Sequence, residues 1–141
     1  MQILVVEDNP ADVRLIKEAF REGGPAKMLH VVEDGVEAME FLRGEGSHQG
    51  APKPDLVLLD LNLPRKNGCE LLREMRHDEL LCMIPTVMFS SSSAQDDIQR
   101  AYRAHVNCFV TKPDNLDEFL ETIGRIEEFW LETVRLPESE G

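Results

Sequence analysis

A continuous apolar run from Leu56 to Leu59, followed directly by Asp60, limits the possible folds of this chain more than any other feature. Four apolar residues without polar alternation are typical of a strand buried on both faces of a parallel sheet. Open α/β folds bind their ligands at the carboxyl ends of such strands. The run therefore predicts a central strand and makes Asp60 a candidate site residue.

The same arrangement occurs near both ends of the chain. The run from Ile3 to Val6 leads into Glu7 and Asp8, and the run from Phe109 to Thr111 leads into Lys112. Parallel strands bring their carboxyl ends to one edge of a sheet, so we expect these side chains to meet the central carboxylate there. The sequence thus predicts an acidic cluster with one lysine.

Strand and helix patterns alternate five times, with connections too short for anything but right-handed crossovers in one parallel sheet. Predicted strands cover residues 2–6, 28–32, 56–59, 85–89 and 109–111. We predict a doubly wound α/β domain over residues 1–134. Two strand orders are common for such domains, and the flavodoxin-like order 2-1-3-4-5 places the first and third strands side by side. An extended last helix, from about Asn115 to about Val134, precedes a short tail over residues 135–141.

Adjacency of the first and third strands has a chemical consequence. At a strand spacing of about 4.8 Å, the carboxylates of Glu7, Asp8 and Asp60 would crowd together and favour a hard divalent cation such as Mg²⁺. The hydroxyl of Ser90, after the fourth strand, and the ammonium of Lys112 could then bind a tetrahedral anion beside the metal. Such a site suits phosphoryl transfer to Asp60. The alternative is that each acid merely caps a helix.

Composition narrows the class of protein further. The chain has 141 residues, of which 42% are hydrophobic, and a formal net charge of −12. This size suits one domain, and the negative charge argues against nucleic acid as a partner. Three cysteines without metal-ligand spacing indicate a reducing compartment. We see no signal peptide and no apolar run of membrane-spanning length, and we expect a cytoplasmic protein.

Four motifs together resemble a known family. They are VVED at Val5–Asp8, LLDLNLPRKNG at Leu58–Gly68, IPTVMFS at Ile84–Ser90 and TKP at Thr111–Pro113. From Gln2 to about Thr133 the chain resembles the receiver domain of two-component response regulators. The resemblance implies a phosphoprotein that accepts a phosphoryl group on Asp60 from a histidine kinase. It implies no enzyme activity beyond Mg²⁺-dependent phosphorylation and dephosphorylation of the chain itself.

The resemblance also assigns the metal ligands. Asp8, Asp60 and the backbone carbonyl of Asn62 would ligate Mg²⁺, with Glu7 acting through water. Asn62 has a second implied role, because its position and that of Ser92 tune the phosphate lifetime in this family.

The remaining implied roles concern the phosphoryl group and the switch. Lys112 would pair with the phosphoryl oxygens beside a cis bond to Pro113. Ser90 would move toward the phosphoryl group, and Phe109 would follow it inward.

The C-terminal segment is similar to a narrower group, the single-domain response regulators of bacterial phytochromes. The similarity lies in residues 105–119 and 126–137. It implies a phytochrome histidine kinase as partner, no output domain, and a homodimer through the fourth and fifth helices and the fifth strand. Phe129, Trp130 and Leu131 are candidate dimer residues, because exposed aromatic patches usually find a partner. The alternative is a tail that folds back on its own chain.

Two other functions are compatible with parts of the pattern. A small α/β phosphohydrolase could use Asp60 as its nucleophile, but such enzymes need a second acid where this chain has Asn62. An interaction module that is never phosphorylated could retain the acidic site without using it. Turnover of a substrate would identify the hydrolase, and a phosphoryl adduct would separate the regulator from the module.

Overall fold

A computed structural model describes residues 1–22 and 27–138, and its five strands form one parallel sheet in the order β2-β1-β3-β4-β5. The strands are β1 (Gln2–Val6), β2 (Met28–Val32), β3 (Leu56–Leu59), β4 (Thr86–Ser90) and β5 (Cys108–Thr111). The helices are α1 (Pro10–Glu22), α2 (Gly35–Arg43), α3 (Gly68–Arg76), α4 (Gln95–Arg103) and α5 (Leu116–Glu127). The predicted five-stranded, flavodoxin-like fold is confirmed. In the part of the chain described, no helix has the length and apolar character needed to cross a membrane.

Both faces of the sheet are buried. Successive strand residues point to opposite faces, so Ile3 and Val5 of β1 contact one core while Leu4 and Val6 contact the other. The first core includes side chains of α1 and α5, and the second includes side chains of α2, α3 and α4. This double burial explains why β3 has a continuous apolar sequence rather than an alternating one.

Helix caps fix the loops at the carboxyl edge of the sheet. Asn9 begins α1, because its side-chain oxygen accepts hydrogen bonds from the amides of Ala11 at 2.9 Å and Asp12 at 3.3 Å. Asn67 and Glu70 form a reciprocal capping box at the start of α3. The turns after β1 and β3 are therefore held by local hydrogen bonds close to the predicted site.

Gly68 allows the first turn of α3 to lie directly against the backbone after β3. Its amide donates to the carbonyl of Leu61 at 2.9 Å. A Cβ atom at this position would lie 2.4 Å from the carbonyl oxygen of Asp60. Because both partners are backbone, only glycine permits this approach without moving the chain that carries Asp60.

The last helix continues beyond α5 as a π-helix over Glu128–Thr133. Its wider turn changes which side chains face the sheet. Trp130 and Leu131 are partly buried against the chain's own core, whereas Phe129 is 49% exposed. The predicted helix thus has nearly the expected extent, but only one of the three candidate dimer residues is largely exposed.

A buried ion pair joins the end of α5 to the segment before β2. Lys27 Nζ lies 2.6 Å from Glu127 Oε1, and the two side chains are 10% and 9% exposed. The same ammonium lies 5.8 Å from the centre of the Phe20 ring on α1. The ion pair therefore links the end of α5 to the residue before β2, and the same lysine also contacts α1.

Candidate functional site

The pairing of β1 with β3 brings the first acidic side chains together. Val6 is in register with Leu59, and the amide of Asp60 donates to the carbonyl of Val6 at 3.0 Å. The amide of Glu7 donates in turn to Val32 on β2 at 3.0 Å. Glu7 and Asp60 therefore follow directly after paired strand ends, as the predicted strand order requires.

Three carboxylates converge at this edge. One oxygen from each of Glu7, Asp8 and Asp60 lies within 4.8 Å of the others. Glu7 is 2% exposed and Asp60 is 8% exposed, while Asp8 is open to solvent. Carboxylate oxygens are the ligands that hard divalent cations prefer, and their mutual repulsion is relieved by such an ion. The cluster is thus a suitable place for one.

Lys112 reaches this cluster from the end of β5, where its amide donates to the carbonyl of Ser90 at 2.7 Å. Its Nζ lies 2.5 Å from Glu7, 2.9 Å from Asp12 and 3.6 Å from Asp60. The Lys112 side chain is only 8% exposed. A buried ammonium surrounded by three carboxylates is well placed to stabilise further negative charge at Asp60.

Burial controls the protonation of Glu7. Removal from water raises the pKa of its carboxyl to about 7; the charge of Asp60 adds to the increase, and the hydrogen bond from Lys112 opposes it. Burial alone would lower the pKa of Lys112, but hydrogen bonds to Glu7 and Asp12 and the charge of Asp60 outweigh it and raise that pKa. The ammonium therefore keeps its charge while Glu7 titrates near neutrality.

The predicted switch residues lie on the two strands beside the cluster. Ser90 is fully buried at the end of β4, and its hydroxyl oxygen accepts a hydrogen bond from the amide of Ser92 at 3.3 Å. Phe109 is partly buried against the core, and its amide donates a hydrogen bond to the hydroxyl oxygen of Tyr102 on α4 at 3.3 Å. Both residues are thus connected to the segment between β4 and β5.

The two predicted lifetime positions have different surroundings. Asn62 is exposed in the loop after β3. The hydroxyl of Ser92 donates to the carboxylate of Asp97 on α4 at 2.6 Å. Ser92 also accepts, through its carbonyl, a hydrogen bond from the hydroxyl of Thr111 at 3.0 Å. Ser92 therefore links the loop after β4 to both α4 and β5.

One backbone expectation is wrong. The described residues contain no cis peptide bond, so the bond between Lys112 and Pro113 is trans. Trans is the lower-energy form of a bond that precedes proline.

Asp12 is a site residue that the sequence patterns do not predict. It lies in the first turn of α1, and its carboxylate accepts a hydrogen bond from Lys112 at 2.9 Å. The only sequence signal is an acid one helical turn after the Glu7–Asp8 pair. That signal does not reveal a contact with a residue 100 positions later, because the contact depends on how α1 and β5 pack.

These observations define the class of protein. A five-stranded parallel sheet in the order 2-1-3-4-5 carries an acidic triad at the ends of β1 and β3 and a lysine at the end of β5. This is the architecture of a receiver domain.

Comparison with known proteins identifies the family. The sequence model of the response regulator receiver domain family matches residues 3–124, and the chain belongs to this family. The response regulator Rcp1 of Synechocystis sp. is 44% identical over 135 residues, which cover 96% of this chain and 92% of Rcp1.

Solved structures agree with this assignment. The Mn²⁺-bound form of Rcp1 has a TM-score of 0.93 and 43% identity, with 97% of this chain and 99% of that chain covered. The phosphorylated cyanobacterial phytochrome response regulator RcpA has a TM-score of 0.92 and 47% identity, with coverages of 97% and 98%. The chain is therefore a receiver-type response regulator related to those of phytochromes.

Proposed function

We propose that Asp60 accepts a phosphoryl group from a histidine kinase and that the chain signals through the surface change that follows. The observation that carries this proposal is the convergence of Glu7, Asp8 and Asp60 within 4.8 Å. The Lys112 ammonium lies 3.6 Å from Asp60 in the same cluster. The phosphorylated structure of the related RcpA supports the same chemistry.

The transfer is a simple displacement at phosphorus. A carboxylate oxygen of Asp60 forms a bond to phosphorus while the bond from phosphorus to the kinase imidazole nitrogen breaks, and the bonding electrons leave with that nitrogen. The transition state spreads negative charge over three oxygens. Lys112 offsets part of this charge, and the Ser90 hydroxyl donates a hydrogen bond to the transferred group. Phe109 then follows Ser90 inward and alters the surface beside β5.

Mg²⁺ is the proposed metal at the acidic cluster. Glu7, Asp8, Asp60 and the backbone carbonyl of Asn62 would hold it, and these oxygen donors fit a hard cation. When bound, the ion supplies positive charge to the oxygens of the transferred group. The Mn²⁺-bound structure of Rcp1 supports a divalent ion in this family.

Mg²⁺ affinity is expected to increase with pH. Burial raises the pKa of Glu7 to about 7, so this carboxyl is largely protonated below neutrality in the metal-free chain. A cation favours the ionised form, so binding releases a proton, and affinity should rise about tenfold between about pH 6 and about pH 8. Calorimetric titration in buffers of different ionisation enthalpy measures both the Mg²⁺ affinity and the number of protons released.

Glu7→Gln and Glu18→Gln are the matched variants for this measurement. Glu7→Gln should bind Mg²⁺ weakly and with little pH dependence, because the titrating group is gone. Glu18 is exposed on α1, and loss of its charge should leave the increase of Mg²⁺ affinity with pH unchanged. A wild-type affinity that is constant over this pH range would contradict the role given to Glu7.

A phytochrome histidine kinase is the proposed partner, on the strength of the relation to RcpA. We infer that the chain catalyses only its own phosphorylation and dephosphorylation, with Asn62 and Ser92 setting the phosphate lifetime. Residues 1–134 form the proposed receiver domain, and residues 135–141 form the proposed tail. Nucleic acid and membrane are not proposed partners, and a cytoplasmic location is consistent with a kinase partner.

The proposed homodimer uses α4, α5 and β5, with Phe129 at its apolar centre. Phe129→Ser is expected to weaken the dimer at least about tenfold, because roughly 1.5–3 kcal/mol of phenyl burial is lost. Trp130 and Leu131 contribute in the same region but also pack on their own chain, so their replacement would disturb the fold as well. Sedimentation velocity over a dilution series measures the change.

Leu80→Ser is the control for this measurement. Leu80 is 61% exposed and lies in the connection between α3 and β4. Its replacement removes a similar apolar side chain without changing the proposed interface. Equal dimerisation of the wild-type and Phe129→Ser chains would reject this interface.

The proposed function is tested by intact-mass measurement after incubation with Mg²⁺ and a small phosphodonor. We expect one hydroxylamine-labile phosphoryl adduct, as an acyl phosphate requires. Absence of any adduct, both with the small donor and with a phytochrome histidine kinase, would favour the interaction module. Sustained release of phosphate from added phosphomonoesters would instead favour a hydrolase.

A further inference from the structure

The ammonium of Lys112 is shared unequally among its carboxylate neighbours. Glu7 at 2.5 Å and Asp12 at 2.9 Å accept hydrogen bonds from it. Asp60 lies at 3.6 Å, which is beyond hydrogen-bond distance. Two of the three donors of the ammonium are therefore directed at residues other than the proposed phosphoacceptor.

Asp12 is distinct from the acidic triad. Within residues 1–22 and 27–138, the carboxylates that lie close enough together to hold a metal are those of Glu7, Asp8 and Asp60. Asp12 lies instead on the first turn of α1, where the Asn9 cap fixes its backbone. Its side chain is 21% exposed, whereas that of Glu7 is only 3% exposed. Asp12 therefore holds Lys112 from the more open side of the site.

We propose that Asp12 is a positioning residue that competes with the incoming phosphoryl group for the ammonium of Lys112. This inference rests on the proposed function of Asp60. A phosphoryl oxygen on Asp60 can use only the third donor of the ammonium, unless the ammonium turns or moves away from Glu7 and Asp12. The carboxylate of Asp12 opposes both changes, because it already accepts one hydrogen bond and partly neutralises the charge. Asp12 thus lowers the affinity of the site for a phosphoryl group.

A purely structural role for Asp12 makes a different prediction. An acidic residue in the first turn of a helix stabilises that helix through the helix dipole. Its removal would then lower the stability of the fold without increasing the affinity of the site for an anion. An affinity measurement therefore separates the two roles, whereas a stability measurement does not.

Beryllofluoride, a phosphoryl analogue, is the probe for the test, titrated into the full chain at saturating Mg²⁺. We expect Asp12→Asn to bind it about fivefold more tightly, the effect of one partly exposed charge pair. Asp12→Glu, which keeps the charge, should restore affinity toward the wild-type value. Asp12→Ser removes the same charge and serves if the asparagine variant folds poorly. Each variant is titrated at an Mg²⁺ concentration that saturates it, so a change in Mg²⁺ affinity does not enter the comparison.

Two exposed acids provide matched controls. Glu18 lies on the same helix as Asp12, and Asp114 lies two residues after Lys112. Glu18→Gln and Asp114→Asn remove one charge each and should leave beryllofluoride affinity nearly unchanged.

The outcomes are distinguishable. Unchanged or weaker binding by Asp12→Asn would overturn the role of Asp12 and leave the phosphoacceptor proposal intact. Equal tightening by Asp114→Asn would also overturn it, because the effect would then reflect general charge. Failure of the wild-type chain to bind beryllofluoride with Mg²⁺ bound would instead overturn the proposed function and this inference with it.

Discussion

Asp60→Asn is expected to form no phosphoryl adduct, with either a small phosphodonor or a histidine kinase, while it retains the native fold. The amide has nearly the same shape as the carboxylate, so it still fits the position of the Asp60 side chain, which is 10% exposed. It lacks the nucleophilic oxygen that bonds to phosphorus. The substitution also removes one negative charge from a crowded acidic cluster. The loss of repulsion between carboxylates favours folding. Intact-mass measurement tests whether the adduct is absent, and far-ultraviolet circular dichroism tests whether the native fold is retained.

Asp55→Asn is the matched control, because Asp55 precedes the same strand at the opposite edge of the sheet. Its carboxylate accepts a hydrogen bond from the amide of Gln2 at 2.8 Å, far from the acidic triad. This variant should be phosphorylated like the wild-type chain. The same adduct on Asp60→Asn would show that another residue is the phosphoacceptor.

Glu127→Ala is expected to lower the free energy of unfolding by about 3 kcal/mol, because it leaves the charge of Lys27 buried without its partner. The Lys27 and Glu127 side chains are 10% and 9% exposed, so water compensates little for the loss. Replacement of the pair by Lys27→Met and Glu127→Leu should be close to neutral, since neither charge then needs a partner. Urea denaturation of the full chain measures each value.

Glu121→Ala is the control, because Glu121 forms the same type of ion pair on the surface of the same helix. Its oxygen lies 2.6 Å from Arg125, but the two side chains are 60% and 76% exposed. The expected loss is below about 0.5 kcal/mol. If the Glu127 and Glu121 variants were destabilised equally, burial of the Lys27 pair would not be the source of its strength.

Much of the fold follows from local patterns. The run at Leu56–Leu59 is apolar because both of its faces are covered, and that fact alone predicts a central parallel strand. Once the first and third strands are neighbours, Glu7 and Asp60 must lie side by side. The positions of the triad and of Lys112 were therefore predictable from where the apolar runs end.

Features that depend on packing between distant segments were not predictable. The contact of Asp12 with Lys112 requires a particular placement of α1 beside the end of β5. The exposure of Phe129 depends on a change from α-helix to π-helix after Glu127, and no sequence periodicity indicates that change. Trp130 was expected at the dimer face, but it is partly buried against the core of its own chain.

The contact between Gly68 and Asp60 also bears on how relatives of this chain can diverge. A side chain at position 68 would meet the carbonyl oxygen of Asp60 at 2.4 Å, so this position cannot vary while the loop keeps its shape. A descendant with a larger residue there must shift α3 outward or reshape the segment from Asp60 to Gly68. A substitution at a position with no chemistry of its own would then displace Asp60 and the loop that follows it together.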